Sequence, residues 1–340
     1  MAIASAELRS PGAVEPNLSD VDWALGPGSV SWEVMENPCV FVVGILREAI
    51  LLTLHLPFAA AAIDHDGVHE DPVKRFRTIA RYAYSATYGT KAEAEHVSGY
   101  VRRRHAQVVG IEPVSGQPYQ ANADYELVLT QALLTSSWVA AYEAINGPLP
   151  TDRRDQFVLE QKLPGALLGI RPQHLPDTYD QLQAFLALAR TKWAGGLQAR
   201  AVLKPFASGV YPPGSVIGEL PPRRRAAVAV VVRILTDMAL QTMSAEERDL
   251  LAIDRPPQLR STRVVRMTHR WLSSFLASAR GRAVFDSFLK PDVAKVVHRA
   301  REAAGSREAA APFVVPDAAP FVVALEDRVE NLPPGHLGHS

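Results

Sequence analysis

The sequence predicts an all-α protein: one large helical domain over residues 22–305, with an N-terminal arm at 1–21 and a tail at 306–340. Three observations carry this reading. Beyond the arm, apolar residues recur at three and four positions rather than alternating. Helix start and stop signals punctuate the chain. Strand signals are nearly absent. With 340 residues, 47% of them hydrophobic, the chain is long enough to bury a substantial core.

The arm is rich in small residues and turn formers. The most apolar stretch, Cys39 to Ile63, has about the length of a membrane span but contains Arg47, Glu48, His55 and Pro57. A buried helix that breaks at Pro57 is the better reading, and no membrane span is expected. Asp71-Pro72 places an N-cap acceptor before a proline, opening a helix that runs towards Tyr88-Gly89. Thr90 with Glu93 forms a capping box for the next helix, which should end near Gly110. Asp124 begins another long helix, stopped by Asn146-Gly147-Pro148. Further helices are expected at about 178–194, 260–279 and 291–304. Ser244 with Glu247 opens a shorter one after the apolar run Ala226 to Met243. The excess of basic residues from Arg255 to Arg307 reads as a solvated helical face. In the tail, Ala-Pro-Phe-Val-Val occurs at 311–315 and again at 319–323. These two copies read as apolar latches on the main domain or on a neighbouring subunit, so an oligomer is possible.

Composition removes several function classes. Lys plus Arg and Asp plus Glu number 36 each, so no global field draws in phosphate backbones, and nucleic acid is not expected as a partner. The single cysteine, Cys39, excludes an intrachain disulfide and cysteine-rich metal sites within the chain, and fits a reducing compartment. The first residues show no basic cluster followed by an apolar run, so the expected location is cytoplasmic. No dinucleotide fingerprint, P-loop or nucleophile elbow is present.

The most informative helix spans Lys91 to Val109. Val97, Val101, His105 and Val108 follow at four, four and three residues, which sets His105 within an apolar stripe. A lone histidine there is ordinarily a satisfied core residue, and arginines on a helix are ordinarily a solvated face. A ligand role becomes attractive because Arg102, Arg103 and Arg104 immediately precede it: an imidazole can bind iron while guanidinium groups neutralise haem propionates. A second cluster is Asp64-His65-Asp66-Gly67-Val68-His69-Glu70. His65 and His69 would share one face of a helix and, with the carboxylates, could form a metal shell. Gly67 and Asp71-Pro72 argue instead for a polar loop or turn, and no catalytic metal is expected there. On the following helix Arg75, Thr78, Ile79 and Tyr82 share a face; Arg75 there either snorkels to solvent or is buried against an anion.

Taken in order, these pieces resemble the MpaB-like oxygenase family, the relatives of the rubber oxygenase (latex clearing protein) catalytic domain. The matching run is Asp22-Trp23, Gly44-x-x-Arg47 with Leu51-Leu52, Pro57, and Asp64-x-x-x-x-His69-x-Asp71-Pro72. It continues through Arg75-Phe76, Tyr88-Gly89-Thr90 and Val101-Arg-Arg-Arg-His105-x-x-Val108-x-Gly110. After these come Gly116-x-x-Tyr119-x-Ala121, Asp124-x-Glu126-Leu127, Ala141-Tyr142-Glu143, Gly147-Pro148-Leu149, Asp155, Glu160, Leu168-Gly169-Ile170 and Leu175-Pro176.

The resemblance implies a globin-like core enclosing haem b, with His105 as the axial iron ligand. It places Arg75 and Thr78 as candidate catalytic residues, and Arg75, Ile79, Val101 and Val108 beside the haem. This chain departs from the family pattern in three places. The family's threonine is one position early here, at Thr78, with Ile79 in its place. Thr130 and Ala132 stand where Trp and His are common, and His55-Leu56-Pro57 displaces a His-Pro pair. The implied function is a haem-b-dependent oxygenase acting on an apolar small molecule with dioxygen or peroxide. Two alternatives are a haem sensor or carrier without turnover, and a metal-dependent hydrolase built on His65 and His69.

Overall fold

A computed structural model describes residues 21–66, 71–251 and 263–305. The arm at 1–20, the tail with its two latches, His69 and Glu70 lie outside the described residues.

The architecture grows from one helix pair. α1 (Val30–Glu36) opens on Ser29, whose hydroxyl oxygen accepts from Trp32 N at 3.3 Å. α2 (Pro38–Leu52) follows at once, with Asn37 accepting from Cys39 N at 2.9 Å. α2 is buried almost from end to end, including Arg47 and Glu48, so it forms the axis of the bundle. Its main neighbour is α6 (Asp124–Asn146). The two approach closely at Gly44, where an added Cβ would lie 2.2 Å from Trp138 Cδ1, so only glycine fits.

The pair separates two apolar cores. The first half of α2 and the second half of α6 hold the aromatic core, in which Phe41 stacks on Tyr84 at 3.9 Å and meets Trp138 and Phe285. Ile50 to Leu54 and Leu127 to Leu133 hold the other, with Phe185 and Trp193.

The stretch Cys39 to Ile63 is the buried, broken helix that its charges implied. The break falls at Thr53–His55, just ahead of Pro57, which occupies the first turn of α3 (Leu56–Ala61). The two segments stand at 105° to one another, and among the described residues no single helix is long and apolar enough to cross a membrane. A single π turn, Ala62–Asp66, continues α3 into the segment expected to be a loop or turn.

Local capping fixes the next elements. Asp71 accepts from Lys74 N at 3.1 Å to start α4 (Pro72–Tyr88). The Thr90–Glu93 capping box starts α5 (Lys91–His105). α5 stops at His105, short of Gly110, because Val109–Ile111 (β1) pairs antiparallel with Pro118–Gln120 (β2). The two strands have three residues each, so the all-α class stands. Its turn uses Gly116 at φ +71°, and Gly110 leaves room for the Tyr119 ring, whose hydroxyl would sit 2.4 Å from an added Cβ.

α7 (Thr151–Glu160), α8 (Lys162–Leu167) and α9 (Tyr179–Arg190) come next; α9 ends four residues before Ala194. α10 (Leu197–Ser208), α11 (Pro222–Gln241) and α12 (Ala245–Leu250) follow, α12 on its expected Ser244–Glu247 box. α13 (Arg263–Ala277), α14 (Ala279–Asp286) and α15 (Pro291–Gly305) complete the described chain. α11 and α13 pack on α2, and α15 on α4.

Candidate functional site

α4 and α5 form an antiparallel pair, and between their facing turns, α2, α3 and α6 lies a cavity of about 580 Å³. That size falls in the range of small-molecule sites. The spacing of Arg75, Thr78, Ile79 and Tyr82 puts them on one face of α4, and all four line the cavity. Val101, Arg104 and His105 of α5 line the opposite side. Val108 reaches the same space by a different route from the one its spacing suggested. The helix has ended, and a turn closed by Gln107 N to Arg104 O and Val108 N to His105 O delivers it. Arg75, Thr78, Ile79, Val101, His105 and Val108 therefore border one cavity.

Their environments differ. His105 and Arg75 are half-buried on the wall. The Thr78 hydroxyl donates to Lys74 O at 3.2 Å, so its oxygen offers only acceptor capacity to the cavity. Arg104 and Lys74 are exposed at the edge, and Arg104 Nη1 donates to Gln107 Oε1 at 3.2 Å. Arg102 and Arg103 are solvated and do not border the cavity. The floor is closed by Tyr82, whose hydroxyl donates to Pro164 O at 3.1 Å.

The polar cluster after α3 serves the edge of the cavity. Tyr119 Oη donates to Asp64 Oδ2 at 2.6 Å, and His65 Nε2 lies 3.1 Å from Val109 O. Both contacts tie the π turn to the hairpin. Burial and the Asp64 carboxylate push the Tyr119 hydroxyl well above the ordinary tyrosine range. Among the described residues no group of three or more His, Cys, Asp or Glu side chains is arranged to hold a metal ion. Asp71, besides capping α4, accepts from Val216 N at 3.2 Å, which anchors the start of the Arg75 helix to the chain ahead of α11.

Several residues at the site escaped the sequence reading. His55 meets both carboxylate oxygens of Glu126 at 2.9 Å, and Glu126 borders the cavity from α6. Glu48 borders it from α2 and is only 5% exposed. Burial drives its carboxyl up to about 8, against an opposing pull from Arg75. The only trace in the sequence was a pair of adjacent charges inside the most apolar run. The two diverge: Arg47 turns away from the cavity to donate to Ser137 Oγ at 2.9 Å, with Glu247 at 4.0 Å.

The fold and cavity together define an all-α protein that encloses a cavity of small-molecule size. The family model for the ER-bound oxygenase mpaB/B′ and rubber oxygenase catalytic domain matches residues 32–274, and the chain belongs to that family. No curated protein and no solved structure gives a match to the chain.

Proposed function

We propose that the protein is a haem-b-dependent oxygenase that acts on an apolar small molecule, with His105 as the iron's protein ligand. The observation that carries this reading is the convergence of His105, Arg75, Thr78, Ile79, Val101 and Val108 on one cavity, in a chain of an oxygenase family. The donor set suits haem. Two imidazoles border the space, and His65 is held to the Val109 carbonyl, which leaves His105 as the one set among the apolar residues of α5; apolar side chains make much of the wall, and Lys74 and Arg104 at its edge could neutralise propionate charge.

His105, held at the last turn of α5 by the closure of the following turn, would hold the iron through a ring nitrogen. Ile79, Val101 and Val108 exclude water from the face they border. Arg75 presents a permanent donor to the interior, suited to an oxidant or a polar substrate atom. Bound haem supplies the oxidative chemistry with dioxygen or peroxide, and the protein supplies position and polarity. Acid–base demands on the chain are correspondingly small.

The test is optical. The purified protein is expected to carry an intense Soret band, and His105→Ala to lose haem retention. A variant that keeps the wild-type spectrum and haem content removes His105 as the iron's ligand. Oxygen incorporation from labelled dioxygen into a terpenoid, fatty or aromatic compound would establish turnover. Stable oxygen binding without turnover across such a panel would make the protein a sensor or carrier instead.

A further inference from the structure

Glu48 has no structural occupation. The residue is only 5% exposed, it borders the cavity, and among the described residues no donor hydrogen-bonds its carboxyl. Its neighbour Arg47, equally buried on the same helix, has Ser137 and Glu247. The charged and titratable groups that face the same space are Lys74 and Arg75 of α4, Arg104 and His105 of α5, His65 of the π turn and Glu126 of α6. Glu126 is engaged by His55, His65 by the Val109 carbonyl and Arg104 by Gln107. Arg75 acts on Glu48 through its charge, but that attraction does not offset the loss of water. Burial without donors penalises an ionised carboxylate heavily and the neutral acid far less. A neutral carboxylic acid buried without a partner is an O–H donor in search of an acceptor.

We infer that Glu48 is a substrate-anchoring residue whose carboxylic acid donates a hydrogen bond to a carbonyl oxygen on an otherwise apolar ligand. The pocket would then select ketones or aldehydes over hydrocarbons of the same shape, because an unoccupied donor in a buried site penalises the ligand that cannot satisfy it. The inference rests on the reading of this cavity as the substrate pocket.

The experiment compares octan-2-one with 1-octene by titration calorimetry on the oxidised protein as purified, without reductant. The wild type should prefer the ketone. Glu48→Met should lose that preference by roughly tenfold, about the worth of one hydrogen bond in a buried site. Glu48→Gln, which keeps the volume and an N–H donor, should retain most of it and controls for folding. Raising the pH across Glu48's range of about 8 should erode the wild-type preference and leave that of Glu48→Gln unchanged. Infrared difference spectra between the wild type and Glu48→Gln at neutral pH should contain a protonated carboxyl band. The same ketone-to-alkene ratio in the wild type and Glu48→Met, equal or no binding of both ligands by the wild type, or a missing band would each overturn the assignment. Haem content measured on the same samples keeps the two readings apart: loss of the haem reading appears in the Soret band, loss of this one in the ligand ratio.

Discussion

Two carboxyl groups sit deep in this bundle and have opposite surroundings. Glu160, at the end of α7, is 1% exposed and accepts from Val30 N at 3.0 Å, Ser31 N and Ser31 Oγ at 2.8 Å, and Gln156 Nε2 at 3.1 Å. It satisfies the open first turn of α1 and ties that helix to α7. Glu48 is almost as buried and accepts from none of the described residues. Burial therefore says little about what a carboxyl does. The number of donors aimed at it separates a fastening from a group left available to a ligand.

Replacing each carboxyl by a shape-matched amide or a small residue should rank the two regions. Glu160→Ala strands three α1 donors and should have the largest effect, a loss on the order of 3 kcal/mol in chemical denaturation. Asp71 is intermediate, with two backbone donors at 3.1 and 3.2 Å, and Asp71→Ala should cost about 1 kcal/mol by the same measurement. Glu48→Gln should cost least, and a loss as large as that of Glu160→Ala would end the distinction.

The pH dependence sharpens it further. The folded carboxyl of Glu48 titrates at about 8, above the value of about 4.3 for an unfolded glutamate. Between those values the native state holds the extra proton, so this group makes stability fall as pH rises through the window. Glu48→Gln should flatten that decline in denaturation midpoints measured from weakly acid to weakly alkaline solution. An unchanged slope would mean that Glu48 is ionised throughout.

What was legible in the sequence was local. Asp71, Thr90 with Glu93, and Ser244 with Glu247 announced their helices because a cap needs only residues within one turn. The cavity wall of α4 was legible because 75, 78, 79 and 82 share a face at helical spacing. The hairpin was not, since three-residue strands carry no alternation long enough to read. Val108 reached the predicted place through a turn that helical periodicity does not describe. Glu48 was invisible for a deeper reason. α2 is enclosed on every side, so no periodicity marks which of its faces meets packed side chains and which meets the cavity. Only the arrangement of α3, α4 and α6 around it decides that.

The ties that hold the cavity's frame lie largely outside its lining: the capping box of α5, the Asp71 contacts, and the bond between Tyr119 and Asp64. Frame and lining can therefore drift independently. Substitutions at Ile79, Val101 or Thr130 reshape what is admitted while the fastenings stay in place, and a lineage can change diet without rebuilding its skeleton.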